Sequence, residues 1–169
     1  MDSKTRNPER GGEVRIEYLA VHPELADELA RWSWAEWRVF YETSGRGFDD
    51  ALNSYRERAQ IDALPLALVA FAGGKLVGTV SLKVQDLKTR PEITPWLASL
   101  FVIPEWRGRG VASLLIQRVL AEARRLNLPR LFLWTSSAEA LYLKLGWRLV
   151  ERTEYCGKRI VIMRSDLGS

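Results

Sequence analysis

Cysteine and histidine are almost absent from this 169-residue chain, which carries one of each, Cys156 and His22. A single cysteine closes no internal disulfide, and that fits a reducing cytoplasm. No cluster has metal-ligand spacing, so we expect no metal. His22 stands just before Pro23 and reads as a helix-entry residue; Cys156 sits in a glycine turn and reads as a free surface thiol, not a nucleophile. Long hydrophobic runs are missing too. No segment approaches the ~20 apolar residues of a membrane span. Met1 to Gly12 is polar, without the apolar region of a signal peptide. We expect residues 1–13 to be a disordered lead-in and 14–169 one cytoplasmic domain without a membrane partner. Charge of one sign is not concentrated either. The net charge of +4 permits anionic ligands, but no basic block appears and no basic stripe is interleaved with aromatics, which argues against nucleic acid.

What is present centres on one stretch, Trp96 to Leu115. Its apolar run Leu97 to Ile103 reads as a buried strand, stopped by Pro104, which cannot donate to a ladder. Arg107-Gly108-Arg109-Gly110 then turns the chain into a long helix. Glycines let backbone amides approach a ligand, and the positive helix start favours an anion, most naturally a phosphate. Two arginines add paired donors. A tight turn with solvated arginines would share this pattern. It is no Walker loop, because no Gly-Lys-Ser/Thr follows, and a poor dinucleotide fingerprint, because Leu114 holds the third glycine's place.

Around this stretch the patterning predicts a strand over Glu13 to Val21, a helix from Pro23 to about Glu42, and a second helix over Phe48 to Gln60. Strands follow over Leu64 to Ala72 and Lys75 to Val84, joined at Gly73-Gly74, then a polar loop over Gln85 to Thr94. After the central strand come a helix to about Asn127, a strand over Pro129 to Trp134, and a helix opened by a capping box at Ser136-Ser-Ala-Glu139. Strands over Trp147 to Glu154 and Lys158 to Arg164 end the series. This order gives a mixed α/β (α+β) domain: a largely antiparallel sheet with helices on both faces and a parallel crossover between Leu97 and Trp134. Tryptophans on two sides of the first helix suggest either two packed faces or an aromatic wall of a cleft.

The element order resembles the GNAT family of N-acetyltransferases, as do two motifs. Arg107, Gly110 and Ala112 match its Arg/Gln-x-x-Gly-x-Gly/Ala signature, and Ala138 to Trp147 matches its Ala-x-x-x-Tyr-x-x-x-Gly-Phe/Trp segment. The likeness covers nearly all of residues 14 to 166. It implies a seven-stranded sheet with a central splayed parallel pair. It also implies acetyl-CoA as cosubstrate, with its pyrophosphate on the amides of Arg107, Gly108, Arg109, Gly110, Val111, Ala112 and Ser113. The pantetheine arm would lie on the strand edge at Leu100, Phe101 and Val102, with Thr135 and Ala138 completing the cofactor site. Tyr142 matches the family's tyrosine that faces the cofactor sulfur, where an acid would protonate the leaving thiolate.

The family's strand-borne base is missing: the matching positions are Trp96 and Ala98, which cannot titrate. A primary amine has a pKa near ~10, so a base is still wanted, and Asp86 and Glu92 in the preceding loop are the candidates. Trp32, Trp37 and Trp96 are candidate substrate contacts. The resemblance implies transfer of acetyl to an amine, as a monomer or homodimer, with a non-catalytic acyl-CoA sensor as the alternative.

Overall fold

The computed structural model describes residues 13–168. The lead-in expected over 1–13 lies outside them apart from Glu13. The strands are β1 (Val14–Tyr18), β2 (Leu66–Ala72), β3 (Lys75–Lys83), β4 (Trp96–Val102), β5 (Arg130–Thr135), β6 (Arg148–Tyr155) and β7 (Lys158–Asp166). They form one seven-stranded sheet in the order β1-β2-β3-β4-β5-β7-β6. Its neighbours are antiparallel except β4 and β5, which run parallel. The helices are α1 (Ala26–Glu36), α2 (Arg38–Thr43), α3 (Phe48–Glu57), α4 (Val111–Arg125) and α5 (Glu139–Lys144).

Period-two side chains on β2 show how two layers share one sheet. Leu66, Leu68, Ala70 and Ala72 join the apolar cluster that Val111, Leu115, Ile116, Val119 and Ala123 of α4 bury. Ala67 and Val69 point the other way, to Leu29 and Ala30 of α1 and Ala51 and Tyr55 of α3. Helices therefore cover both faces, as the mixed order of elements requires. The helix α4 is also tied down by a buried acid. Glu122 accepts hydrogen bonds from Tyr18 of β1 at 2.7 Å, from Arg125 at 2.8 Å and from Arg118 at 3.3 Å. Burial alone would raise its pKa, but those three donors hold it below the usual carboxylate value.

Contact between α4 and the sheet depends on Gly78 of β3. A Cβ there would stand 3.1 Å from Leu115 Cδ1 and 3.1 Å from the Phe101 carbonyl oxygen. The backbone oxygen cannot swing aside as a side chain can. Gly78→Ala should therefore lower the unfolding free energy by about 1–3 kcal/mol through overpacking. The check is the denaturant midpoint; an unmoved midpoint would mean that α4 backs away at no cost.

Four expectations shift. The first strand ends at Tyr18, and Leu19–Val21 is a 3-10 turn. The first helix is not continuous to Glu42: Trp37, at φ −114° and ψ 27°, breaks it into α1 and α2. The apolar period continues through the break, so the pattern alone shows one helix. The second helix stops at Glu57. Ser136 does not cap α5; instead the Thr135 hydroxyl accepts the Ala138 N–H at 3.0 Å and the Ser137 N–H at 3.3 Å.

Candidate active site

The parallel pair β4 and β5 shares a single register pair, Trp96 with Phe132. Beyond it the two strands no longer bond each other. On its other edge β4 carries a bulge: Ser81 pairs with Ala98 and Thr79 with Phe101, so Ser99 and Leu100 have no partner on β3. Ser99 takes φ 54°, the left-handed region that side-chain-bearing residues seldom occupy. The splay and the bulge together leave main-chain N–H and C=O groups near position 100 without ladder partners.

A cleft of about 300 Å³ opens at this splay. Leu97 to Leu100 of β4 and Leu133 to Thr135 of β5 line its base. Ser136 to Ala138, Leu141 and Tyr142 close one side; Trp37, Phe40, Tyr41 and α3 close the other. The turn ahead of α4 lies at the C-terminal end of β4. The first backbone bond of α4 runs from the Leu114 N–H to the Gly110 carbonyl at 3.1 Å, and no side chain caps the helix. The N–H groups of Val111, Ala112 and Ser113 precede that bond and point out of the helix start. Gly110 holds φ 83°, which turns the chain into the helix without a Cβ between the amides and solvent.

The sequence-derived residues fall into three groups. Leu100, Thr135, Ala138, Tyr142, Asp86 and Trp37 line the cleft. Gly108, Gly110, Ala112 and Ser113 form the turn and helix start, with Val111 buried beneath as an anchor. Arg107 and Arg109 are partly engaged by the protein itself: Arg107 Nε donates to the Val102 carbonyl at 2.9 Å, and Arg109 stacks 4.8 Å above Trp106. The third group lies elsewhere. Trp96 is fully buried at 0% exposure, its Nε1 donating to the Ile93 carbonyl at 2.8 Å, so it is a core residue rather than a cleft wall. Trp32 packs 5.3 Å from Phe101 and does not line the cleft. Glu92 is exposed in its loop and does not line it either. Cys156 is a free thiol as expected but half-buried, its Sγ 3.9 Å from the Phe40 carbonyl oxygen.

Tyr142 is 5% exposed, and its ring packs on Trp147 at 5.8 Å. Burial is the only influence on its phenol and pushes it up to about 12, so the hydroxyl stays protonated at neutral pH. Asp86 is occupied on both oxygens, by Lys83 Nζ at 3.3 Å and by Trp134 Nε1 at 2.9 Å. That engagement makes it a poor free base and a good anchor for its neighbours. Burial pushes the Lys83 ammonium below its ordinary value, and Asp86 pulls it part of the way back. Among the described residues no group of three or more His, Cys, Asp or Glu could hold a metal ion.

Arg58, Arg46, Lys83, Tyr41 and Trp134 also line the cleft, and the sequence reading did not single them out. An arginine on the polar side of a helix looks like a solvated one until the strands that cover it are in place. No local signal would have found Arg58.

A family model described as the acetyltransferase (GNAT) family matches residues 26–147. An Arabidopsis thaliana protein named N-alpha-acetyltransferase MAK3 is 34% identical over 91 residues, 52% of this chain and 47% of that protein. The match thus spans about half the length of that relative. The Salmonella typhimurium protein yncA, solved with its cofactor acetyl-CoA, superposes with a TM-score of 0.68 at 17% identity, over 92% of this chain and 95% of that one. The Thermoplasma acidophilum PaiA N-acetyltransferase in complex with coenzyme A gives 0.64 at 21% identity, over 91% and 99%.

Proposed function

Because the chain belongs to the acetyltransferase (GNAT) family, we propose that it transfers an acetyl group from acetyl-CoA to an amine within a ternary complex. The observation that carries this reading is the splayed β4–β5 pair. It leaves backbone groups unpaired at a cleft that the protonated Tyr142 lines, and the uncapped start of α4 follows β4 in the chain. When bound, acetyl-CoA supplies an activated carbonyl and a thiol leaving group.

The chain's own groups divide the work as follows. Amides of Val111, Ala112 and Ser113, with the positive end of α4, suit a diphosphate. The β4 edge at Leu100, Phe101 and Val102, where Leu100 has no partner on β3, suits an extended amide-bearing arm that adds itself to the strand. The Leu100 N–H would stabilise negative charge on the carbonyl oxygen as nitrogen attacks. The N–C bond forms and the C–S bond breaks with its electron pair on sulfur. Tyr142 donates a hydrogen bond to that sulfur, and the proton shed by the amine completes the thiol. Both Asp86 oxygens are engaged and Glu92 is outside the cleft, so the incoming ammonium would pass its proton to water rather than to either of them. The domain spans 14–169, and a reducing cytoplasm suits its unpaired cysteine.

The test is an amine-library screen that follows thiol release from acetyl-CoA. Turnover with at least one amine, producing the N-acetyl product by mass, is expected. Binding of acetyl-CoA with no turnover across the library would mark the chain as a sensor instead.

A further inference from the structure

A buried charge is costly unless an opposite charge answers it, which is why buried arginines usually face carboxylates. Arg58, at the C-terminal end of α3, is 2% exposed and breaks that pattern. Its Nη1 donates to the Ser81 and Ser99 hydroxyls at 3.0 and 3.1 Å, and its Nη2 to the Ser54 hydroxyl at 2.8 Å. The guanidinium lies 4.1 Å over the Tyr55 ring. Every one of these partners is neutral. The buried Nε–H has no acceptor in the protein, and with five guanidinium N–H donors the three bonds also leave one Nη2–H free. The residue lines the cleft.

Among the described residues no carboxylate forms an ion pair with Arg58. Asp86 is taken by Lys83 and Trp134; Asp50 accepts the Gly47 N–H at 2.7 Å; Glu36 is exposed. Arg46 lines the same cleft, and its contacts are neutral as well, the Ser44 hydroxyl at 2.9 Å and the Tyr41 ring at 4.7 Å. Ser99, which Arg58 holds, immediately precedes Leu100, where the reacting carbonyl belongs on the reading above. A guanidinium without an ion pair therefore bonds the residue next to the proposed reaction centre.

Resting on that reading, we propose that Arg58 binds a carboxylate of the acceptor, and that the acceptor is a compact amine with its carboxylate close to the reacting nitrogen, an α-amino acid or a near relative. The planar guanidinium matches a planar carboxylate. Closeness of Arg58 to the Ser99–Leu100 bulge requires amine and carboxylate to be neighbours in the substrate. Arg46 adds a second positive charge for the same group.

The experiment compares each of several α-amino acids with its carboxamide and its decarboxylated amine, using the full chain. One arm measures kcat/KM by thiol release. The other measures binding with coenzyme A present, through fluorescence of the cleft tryptophans Trp37 and Trp134. The carboxamide has the less basic amine, so greater neutral-amine content cannot explain a preference for the acid. We expect the acid to exceed both analogues by about 30-fold, the scale of one hydrogen-bonded charged contact. Arg58→Met should remove the preference, and Arg58→Lys, which keeps the charge, should restore part of it. If Arg58→Met does not fold, the wild-type comparison and Arg58→Lys still decide. Equal turnover of acids and uncharged analogues by the wild type overturns this inference and leaves acetyl transfer standing. So does an undiminished preference in Arg58→Met. Absence of turnover with every amine overturns the proposed function, and the binding arm then judges Arg58 separately: amino acids must bind the wild type more tightly than their amides do, or the inference falls.

Discussion

Tyr142→Phe lowers kcat by about 10²-fold or more while the KM for acetyl-CoA stays within a few-fold. The substitution removes one oxygen and keeps the ring that packs on Trp147. The loss therefore reports on the hydroxyl rather than on the core. Burial pushes this phenol up to about 12, so it is a donor throughout the working range. Two consequences for pH follow. The wild-type rate should climb with pH as the acceptor amine loses its proton, and deprotonation of Tyr142 should impose no alkaline fall until near 12. Stability carries the matching sign. A phenol whose pKa is raised in the folded state favours folding below its unfolded value of 10.0, and that contribution is lost as pH rises from there towards about 12. Steady-state kinetics of wild type and variant from neutral to alkaline pH checks the rate predictions, and denaturant midpoints of the two over the same range check the stability. An unchanged kcat would remove Tyr142 from the reaction.

Gly110→Val weakens acetyl-CoA binding by at least about 10²-fold, because charge-assisted hydrogen bonds of roughly 1.5–3 kcal/mol each are lost. Two effects combine at this position. A β-branched residue at φ 83° is strained by about 1–3 kcal/mol. Its side chain also adds bulk beside the helix start, where a Cβ meets no protein atom within 4 Å. The fold should survive with a lower melting temperature, while calorimetric affinity for acetyl-CoA collapses. Replacing Arg107 and Arg109 by alanine should cost less, since their guanidinium groups are already turned to the Val102 carbonyl and the Trp106 ring. Full affinity in Gly110→Val would show that the diphosphate lies elsewhere.

Both experiments use positions that the sequence exposed, and the reason is local. A glycine turn that opens a helix, or a tyrosine four residues before a glycine cap, is written in adjacent residues. Period-two and helical patterning placed the strands to within a few residues, because side-chain direction follows from backbone geometry. Patterning failed where tertiary contacts chose among allowed conformations. The break at Trp37 interrupts no apolar period, and the 3-10 turn at Leu19–Val21 keeps apolar residues inward just as a strand would.

The chain order of residues thus determined the elements, their succession along the chain, the turn ahead of α4 and the tyrosine on α5. Tertiary structure alone decided which charges meet. It buried Trp96, carried Glu92 away, tied Asp86 to Lys83 and Trp134, and enclosed Arg58 among three serines from α3, β3 and β4. The physical reason is range. Backbone propensity and side-chain periodicity act over a few residues, whereas desolvation and Coulomb interaction depend on what the completed fold brings within a few ångströms, whatever its distance in sequence.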